Sequence, residues 1–279
     1  MVIALMGILV SIVAAFIVRP VEGYRDLARR AALVEAAESA LQRMRRDIRT
    51  ALPNSVRVTN TASGYALELI PVLDAARYDR GGDNAECELG FGGGEDNEFD
   101  VEHLFRNPAT LTTAGIRMVV NNTGVSGVNN VYDNAGLAVG LRSLITPVGL
   151  TISITPSGAP CPTGAHHVNF TPDHRFQGQS PNQRLYVVTT ALSYLCDTTV
   201  GTLTRYYNYA ITATQPVTAA DFVALNASSA LAANRVTACN VASTTVDVRN
   251  RALVTLMLTL AESDEQIRLI HQAQVDNTR

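Results

Sequence analysis

MVIALMGILVSIVAAFIV, residues 1–18, runs straight into RPVEGYRDLARRAALVEAAESALQRMRRDIRTAL, residues 19–52, and the fold reading turns on this stretch. The first part holds no charge, and only Ser11 carries a hydroxyl. As a helix, 18 residues at about 1.5 Å each span roughly 27 Å, just short of a bilayer's hydrocarbon core. A signal peptide would need a basic region ahead of the apolar run and a small-residue cleavage site, and Ile17, Val18, Arg19 and Pro20 offer neither. A buried core helix is the other soluble alternative, but an all-round apolar helix at a terminus ordinarily faces lipid. The reading is therefore a transmembrane segment over 1–18.

The helical pattern continues past Pro20 and Gly23. Leu27, Ala31, Val34, Ala37, Leu41, Met44, Ile48 and Leu52 recur at steps of three or four and form one apolar stripe. Pro53-Asn54-Ser55 stops it. This predicts one helix of about 50 residues, apolar all round in its first third and amphipathic over 19–52. A separate second helix is the alternative, and Pro20 would loosen the junction by removing a backbone donor. The alanine-rich stripe is too short to argue for a coiled coil.

From Val56 the period changes to two. Strands are expected at Val56–Val58, Tyr65–Ile70, Ile116–Val120, Leu150–Ile154, Leu185–Thr190, Thr202–Ile211, Arg251–Leu260 and Gln266–Val275. Gly- and Asn-rich stretches at Asn121–Gly136 and Ser157–Gly164 separate them, and Thr218–Ala233 is assigned a short helix. One long helix on an antiparallel sheet is an α+β design, divided as 1–18, 19–52 and a β-rich head over 53–279.

Composition narrows function. All 22 basic residues are Arg, and the absence of Lys removes Schiff-base chemistry and the phosphate-loop lysine together. A net charge of −3 argues against binding nucleic acid through bulk positive charge, so no nucleic-acid partner is expected. Arg19 to Arg49 carries eight Arg, which by the positive-inside rule favours a cytoplasmic flank. Cys87, Cys161, Cys196 and Cys239 argue the other way, being even in number, widely spaced and free of any CxxC pair. Four cysteines allow three connectivities.

Catalytic motifs are missing. No HExxH, GxSxG or dinucleotide fingerprint occurs, and Gly90-Phe-Gly-Gly-Gly94 opens no helix with a Lys. His166, His167 and His174 form the only histidine cluster. Adjacent residues of a strand point to opposite faces, so a shared zinc would need Cys161 or Asp173 as well. A triad of His103, Asp100 and some Ser has no support in spacing. From Gly81 to Glu102 there are eight acids (Asp83, Glu86, Glu88, Glu95, Asp96, Glu98, Asp100, Glu102) and no base. Such a loop suits calcium, although a solvated loop is the ordinary reading. Tyr206, Tyr207 and Tyr209 read as sheet packing ahead of a sugar platform. The expectation is a protein that is not an enzyme and has no cofactor and no metal site.

The ends of the chain carry a resemblance. Arg19-Pro-Val-Glu-Gly-Tyr24, Ala28-Arg-Arg-Ala31, Arg46-Asp47 and Ala51-Leu-Pro-Asn-Ser-Val-Arg-Val58 are similar to type IV pilins, most of all to MSHA-type minor pilins of the MshO group. Tyr186-Val-Val188, Thr204-Arg-Tyr-Tyr207, Val236-Thr-Ala-Cys239, Leu253-Val-Thr-Leu256 and Gln274-Val-Asp-Asn277 continue it, while residues 75–180 match poorly. The resemblance implies a type IV pilin-like fold and a minor pilin that initiates or caps filament assembly. Its implied partners are other pilin or pseudopilin subunits through the N-terminal helix, the inner membrane and the pilus assembly platform. A minor pseudopilin of type II secretion is the related alternative; a membrane-tethered periplasmic binding or enzyme domain is the unrelated one. The implied location is the inner membrane as a single-pass protein with a periplasmic head, and the pilus once assembled. The family's basic leader, its Gly-Phe junction and the glutamate behind it have no counterpart, and the reading expects them upstream of Met1. The family's terminal pattern favours a Cys196–Cys239 disulfide and, with it, Cys87–Cys161.

Overall fold

The computed structural model describes residues 1–79, 87–91, 97–102, 104–112, 115–161, 165–245 and 252–275; within the first helix, the side chains of residues 4, 5, 8–12 and 14–22 stand outside that description. Helix α1 runs Val2–Arg49 without a break at Pro20 or Gly23. Thr50 closes it, its backbone N–H reaching the carbonyls of Arg46 and Ile48 and its hydroxyl those of Arg46 and Asp47. Arg46 and Arg49 in the last turn complement the negative end of the helix dipole.

Everything beyond α1 is mainly antiparallel β, in four sheets among the described residues. The largest orders β1 (Arg57–Thr61), β2 (Gly64–Leu69), β9 (Ala191–Asp197), β10 (Thr202–Tyr209) and β11 (Ser228–Asn234) side by side. The C-terminal meander joins β12 (Val236–Thr245), β13 (Ala252–Glu262) and β14 (Glu265–Val275). A third sheet sets β8 (Arg184–Val188) between β3 (Val72–Arg77) and β5 (Arg117–Val120). The fourth sets β7 (His166–Thr171) between β4 (Glu98–Val101) and β6 (Thr151–Pro156). Two short helices, α2 (Val131–Asn134) and α3 (Ala219–Ala224), close loops. The side chain of Asn130 accepts from the Tyr132 amide at the start of α2, and Thr218 with Asp221 forms a capping box on α3.

These findings correct the expected fold. A pilin-like α+β design with a transmembrane and then amphipathic helix gives way to a mostly antiparallel β architecture in several small sheets. Among the described residues no helix is long and apolar enough to cross a membrane. The apolar run of 1–18 is marginal against a hydrocarbon core of about 30 Å. It also passes without interruption into Arg19, Glu22, Arg25 and Asp26 of the same helix. A transmembrane assignment of 1–18 and a single-pass inner-membrane location are therefore not supported.

The second part of α1 is held by one apolar cluster. Leu33, Ala37, Ala40, Leu41, Met44 and Ile48 are buried with Tyr65 and Leu67 of β2, Tyr194 of β9, Leu256 and Leu258 of β13, and Ala273 of β14. Ala37, Leu41, Met44, Ile48 and Leu52 of the expected stripe are buried, but it differs at its start: Leu33 is buried where Val34 was expected, and Val34, Ala31 and Leu27 are exposed. Alanines at 37 and 40 let the helix backbone approach the sheets closely. Two polar links fix its rotation. The Asp47 carboxylate accepts from the Tyr194 hydroxyl at 2.7 Å and from Arg205 Nε at 2.9 Å. His271 Nε2 lies 2.9 Å from Glu38 Oε2.

Expected strands at 65–70, 116–120, 150–154, 202–211, 251–260 and 266–275 match β2, β5, β6, β10, β13 and β14 within a few residues. The helix expected at 218–233 is only six residues long, and Ser228–Asn234 is the edge strand β11 instead.

Candidate functional site

The chemistry-bearing residues gather around the fourth sheet. Cys87 and Cys161 are bonded, as are Cys196 and Cys239. The first bond ties the segment before β4 to the loop after β6; the second ties β9 to β12, and so the five-stranded sheet to the C-terminal meander. Two disulfides call for an oxidising environment during folding.

Beside the first bond, the register of β4 against β7 sets Asp100 opposite His167. His167 Nδ1 stands 2.8 Å from Asp100 Oδ1, and Nε2 is 3.4 Å from Glu98 Oε2. The Ser157 hydroxyl donates to the other Asp100 oxygen. Asp100, Cys161 and His167 therefore bring potential ligand atoms within 4.8 Å of one another. The chemistry of that set is poor for a cation: Cys161 is a neutral disulfide sulfur rather than a thiolate, and both Asp100 oxygens already accept. It is equally wrong for acyl transfer. A nucleophilic serine needs the imidazole as its base, whereas here the carboxylate stands between serine and histidine. The arrangement works as a polar clasp across β4, β7 and the loop after β6.

The other expected candidates do not converge. His166 turns away from His167, accepts from the Phe105 amide through Nδ1 at 3.0 Å, and stacks on the Phe105 ring. His174 is buried edge-on against Phe170 and Phe176. Burial, and after it the nearby Arg117 guanidinium, pushes its pKa down to about 4. The three histidines thus face three directions. His103 lies outside the described residues, as do Asp83, Glu86, Glu95 and Asp96 of the acidic stretch. Of the described acids of that stretch, Glu98 and Asp100 share His167, and Glu102 meets Arg77 at 3.3 Å. Two of the three tyrosines of β10, Tyr206 and Tyr209, pack on Phe222, while Tyr207 is half-buried with Arg205 5.1 Å over its ring. Tyr206 stacks on Phe222 with ring centroids 4.0 Å apart, and the Tyr209 hydroxyl meets Ser193 at 2.6 Å and Glu68 at 3.0 Å.

Sequence reasoning missed a buried polar network centred on Glu68, which is fully enclosed. Burial raises its carboxyl pKa against the opposing pull of Arg57, whose Nε lies 2.6 Å away. Arg57 also lies 3.6 Å over the Tyr132 ring and donates to the carbonyls of Thr212 and Ala213. Its members come from distant strands and loops, so no local signal could have found it.

A second feature is a surface rather than a cluster. No described side chain of α1 before Leu33 is buried, and Val2, Ile3, Met6, Val13, Tyr24 and Leu27 are large, apolar or aromatic, and exposed. At 1.5 Å per residue this arm is about 45 Å long. Exposed apolar surface on this scale marks an interaction site. Compared with known proteins, the chain matches no family model, no curated protein and no solved structure.

Proposed function

We propose that this chain is a structural subunit of a filament, a minor pilin of the kind its termini resemble, and that it acts through assembly rather than catalysis. The observation that carries this reading is the exposed apolar arm of α1. A single protein gains nothing from about 45 Å of helix whose described apolar side chains stand in solvent. The natural occupant of that surface is a set of like arms from neighbouring pilin subunits, since small residues such as Gly7, Ala14 and Ala15 in the sequence suit close helix packing. The second half of α1, clamped to the head by Asp47 and by its buried stripe, then transmits the position of the arm to the head. The disulfides suit a head that works outside a reducing compartment.

Full-length protein carrying Met6→Glu or Val13→Glu tests the reading. An unpaired carboxylate buried between helices costs several kcal/mol. Each variant is expected to enter sheared filament fractions at least about tenfold less than the unsubstituted chain, with an unchanged melting temperature. Equal incorporation of both variants, or no incorporation of the unsubstituted chain alongside pilin subunits, refutes the proposal.

A further inference from the structure

One groove stands apart from both the clasp and the arm. It has a volume of about 460 Å³ where the end of α1 and the exit through Pro53 meet β3, residues of β8 and the segment after β4. Arg49, Arg106 and Arg184 line it, from three separate parts of the chain, together with Leu73, Leu104 and Tyr186. Asp74 is its single acid. That acid is already occupied by main chain: Oδ1 accepts from the Ala75 amide at 2.8 Å and Oδ2 from the Arg106 amide at 2.9 Å. Arg49 and Arg106 pair with no acid among the described residues. Arg49 and Arg106 beside one engaged carboxylate leave the groove with a positive excess.

The end of a helix would normally oppose an anion there through its bare carbonyls. Here the carbonyls of Arg46, Asp47 and Ile48 are taken. The backbone and hydroxyl of Thr50 reach the carbonyls of Arg46 and Asp47, Ala51 reaches that of Ile48, and Val72 that of Thr50. The groove therefore presents its cations with most of the competing acceptors of that turn already engaged. Its volume falls in the range of small-molecule sites, and guanidinium forks match the two oxygens of a carboxylate or phosphate.

We propose that this groove binds a small organic oxyanion. Arg49 and Arg106 grip a carboxylate, sulfate or phosphate group, and Leu73, Leu104 and Tyr186 cover the apolar part of the ligand. The proposal is independent of the filament reading, because none of these residues belongs to the arm.

Isothermal titration of the full chain at low ionic strength, with inorganic phosphate, glucuronate and citrate as separate probes, tests it and tells phosphate from carboxylate. At least one probe is expected to bind, and its affinity is expected to fall as salt rises. Arg49→Gln and Arg106→Gln should each weaken it about tenfold or more, the equivalent of one charge-assisted hydrogen bond, and the double variant should abolish it. Both side chains are exposed, so these variants should keep the unsubstituted melting temperature. Arg268→Gln, an exposed substitution on β14, should change nothing. Equal affinity in the double variant, loss of binding in Arg268→Gln as well, or no heat from any probe at about ten millimolar overturns the proposal. So does binding of a tetraglutamate peptide when none of the small anions binds, which would make the groove a docking site for chain.

Discussion

His174 makes this protein's stability fall as the solution is acidified, in a window the structure defines. Its ring is 2% exposed. Phe176 meets it edge-on with centroids 4.7 Å apart, and neither ring nitrogen has a hydrogen-bond partner among the described residues. The Ser143 main chain favours the proton only slightly against the burial and the positive Arg117 that disfavour it. In the unfolded chain the imidazole gains a proton as the pH drops through about 6.5, whereas in the folded protein it does so only near 4. Between those values the unfolded state binds the extra proton, so stability must decline with falling pH and level off below about 4. The drop, at about 1.4 kcal/mol for each pH unit, amounts to about 3 kcal/mol. Glu68 contributes with the opposite sign: burial raises its carboxyl pKa, so acidification relieves it. The assay must therefore be differential. Urea melts of the disulfide-intact protein and of His174→Phe, taken at steps from pH 7 to pH 4, cancel the contributions common to both. The stability difference between the two is expected to shift by about 3 kcal/mol in favour of the variant across that range. Parallel curves, or a difference that develops only below pH 4, refute the reasoning.

Two further outcomes follow from the seam between the five-stranded sheet and the C-terminal meander. Cys196→Ser with Cys239→Ser should lower unfolding free energy by about 4 kcal/mol in the chain-entropy description, measured by urea melts, because the bond closes a loop with a sequence separation of 43; a loss below about 1 kcal/mol would count against a constraining role. Gly64→Ala should cost about 2 kcal/mol or more and lower the melting temperature by several degrees. An added Cβ would stand 2.5 Å from the Cys196 carbonyl oxygen, at a backbone φ of +152° that L side chains rarely adopt. Neutral behaviour of that variant in thermal unfolding would show that the two strands can separate there without penalty.

What the sequence carried legibly was local and periodic. Alternation over Leu253–Leu260 and Gln266–Val275 identifies β13 and β14, and the Pro53 exit locates the end of α1 near Arg49. β9 is hard to bound from the sequence for a physical reason: ALSYLC, residues 191–196, is buried on every side chain, so the alternation that betrays a half-solvated strand is absent. β11 failed in the opposite way. SSALAAN has helix-favouring alanines, but pairing with β10 overrides that weak propensity. The stripe on α1 is legible from Ala37 to Leu52 and ambiguous before it, because Leu33 and Val34 both lie three or four residues before Ala37, and only the position of the sheets selects Leu33.

The polar sites were illegible for a different reason, since each is assembled from residues that topology alone brings together. Asp47 and Arg205 are 158 positions apart, and Asp100 and His167 are 67 apart. Arg49, Arg106 and Arg184 look like three unremarkable surface arginines until the end of α1, the segment after β4 and β8 converge. The apolar run at residues 1–18 shows the converse error. Its composition was legible and its consequence was not, because an apolar helix can be buried by lipid or by other helices. Composition sets only the amount of surface to be covered; charges nearby and helix length bear on the cover. Here Arg19 and Glu22 follow directly in the same helix, and no helix among the described residues meets the requirement for crossing a bilayer. On the filament reading proposed above, neighbouring subunits cover the exposed Val2, Ile3, Met6 and Val13, and a charge placed at Met6 or Val13 is the perturbation that distinguishes a packed arm from an idle one.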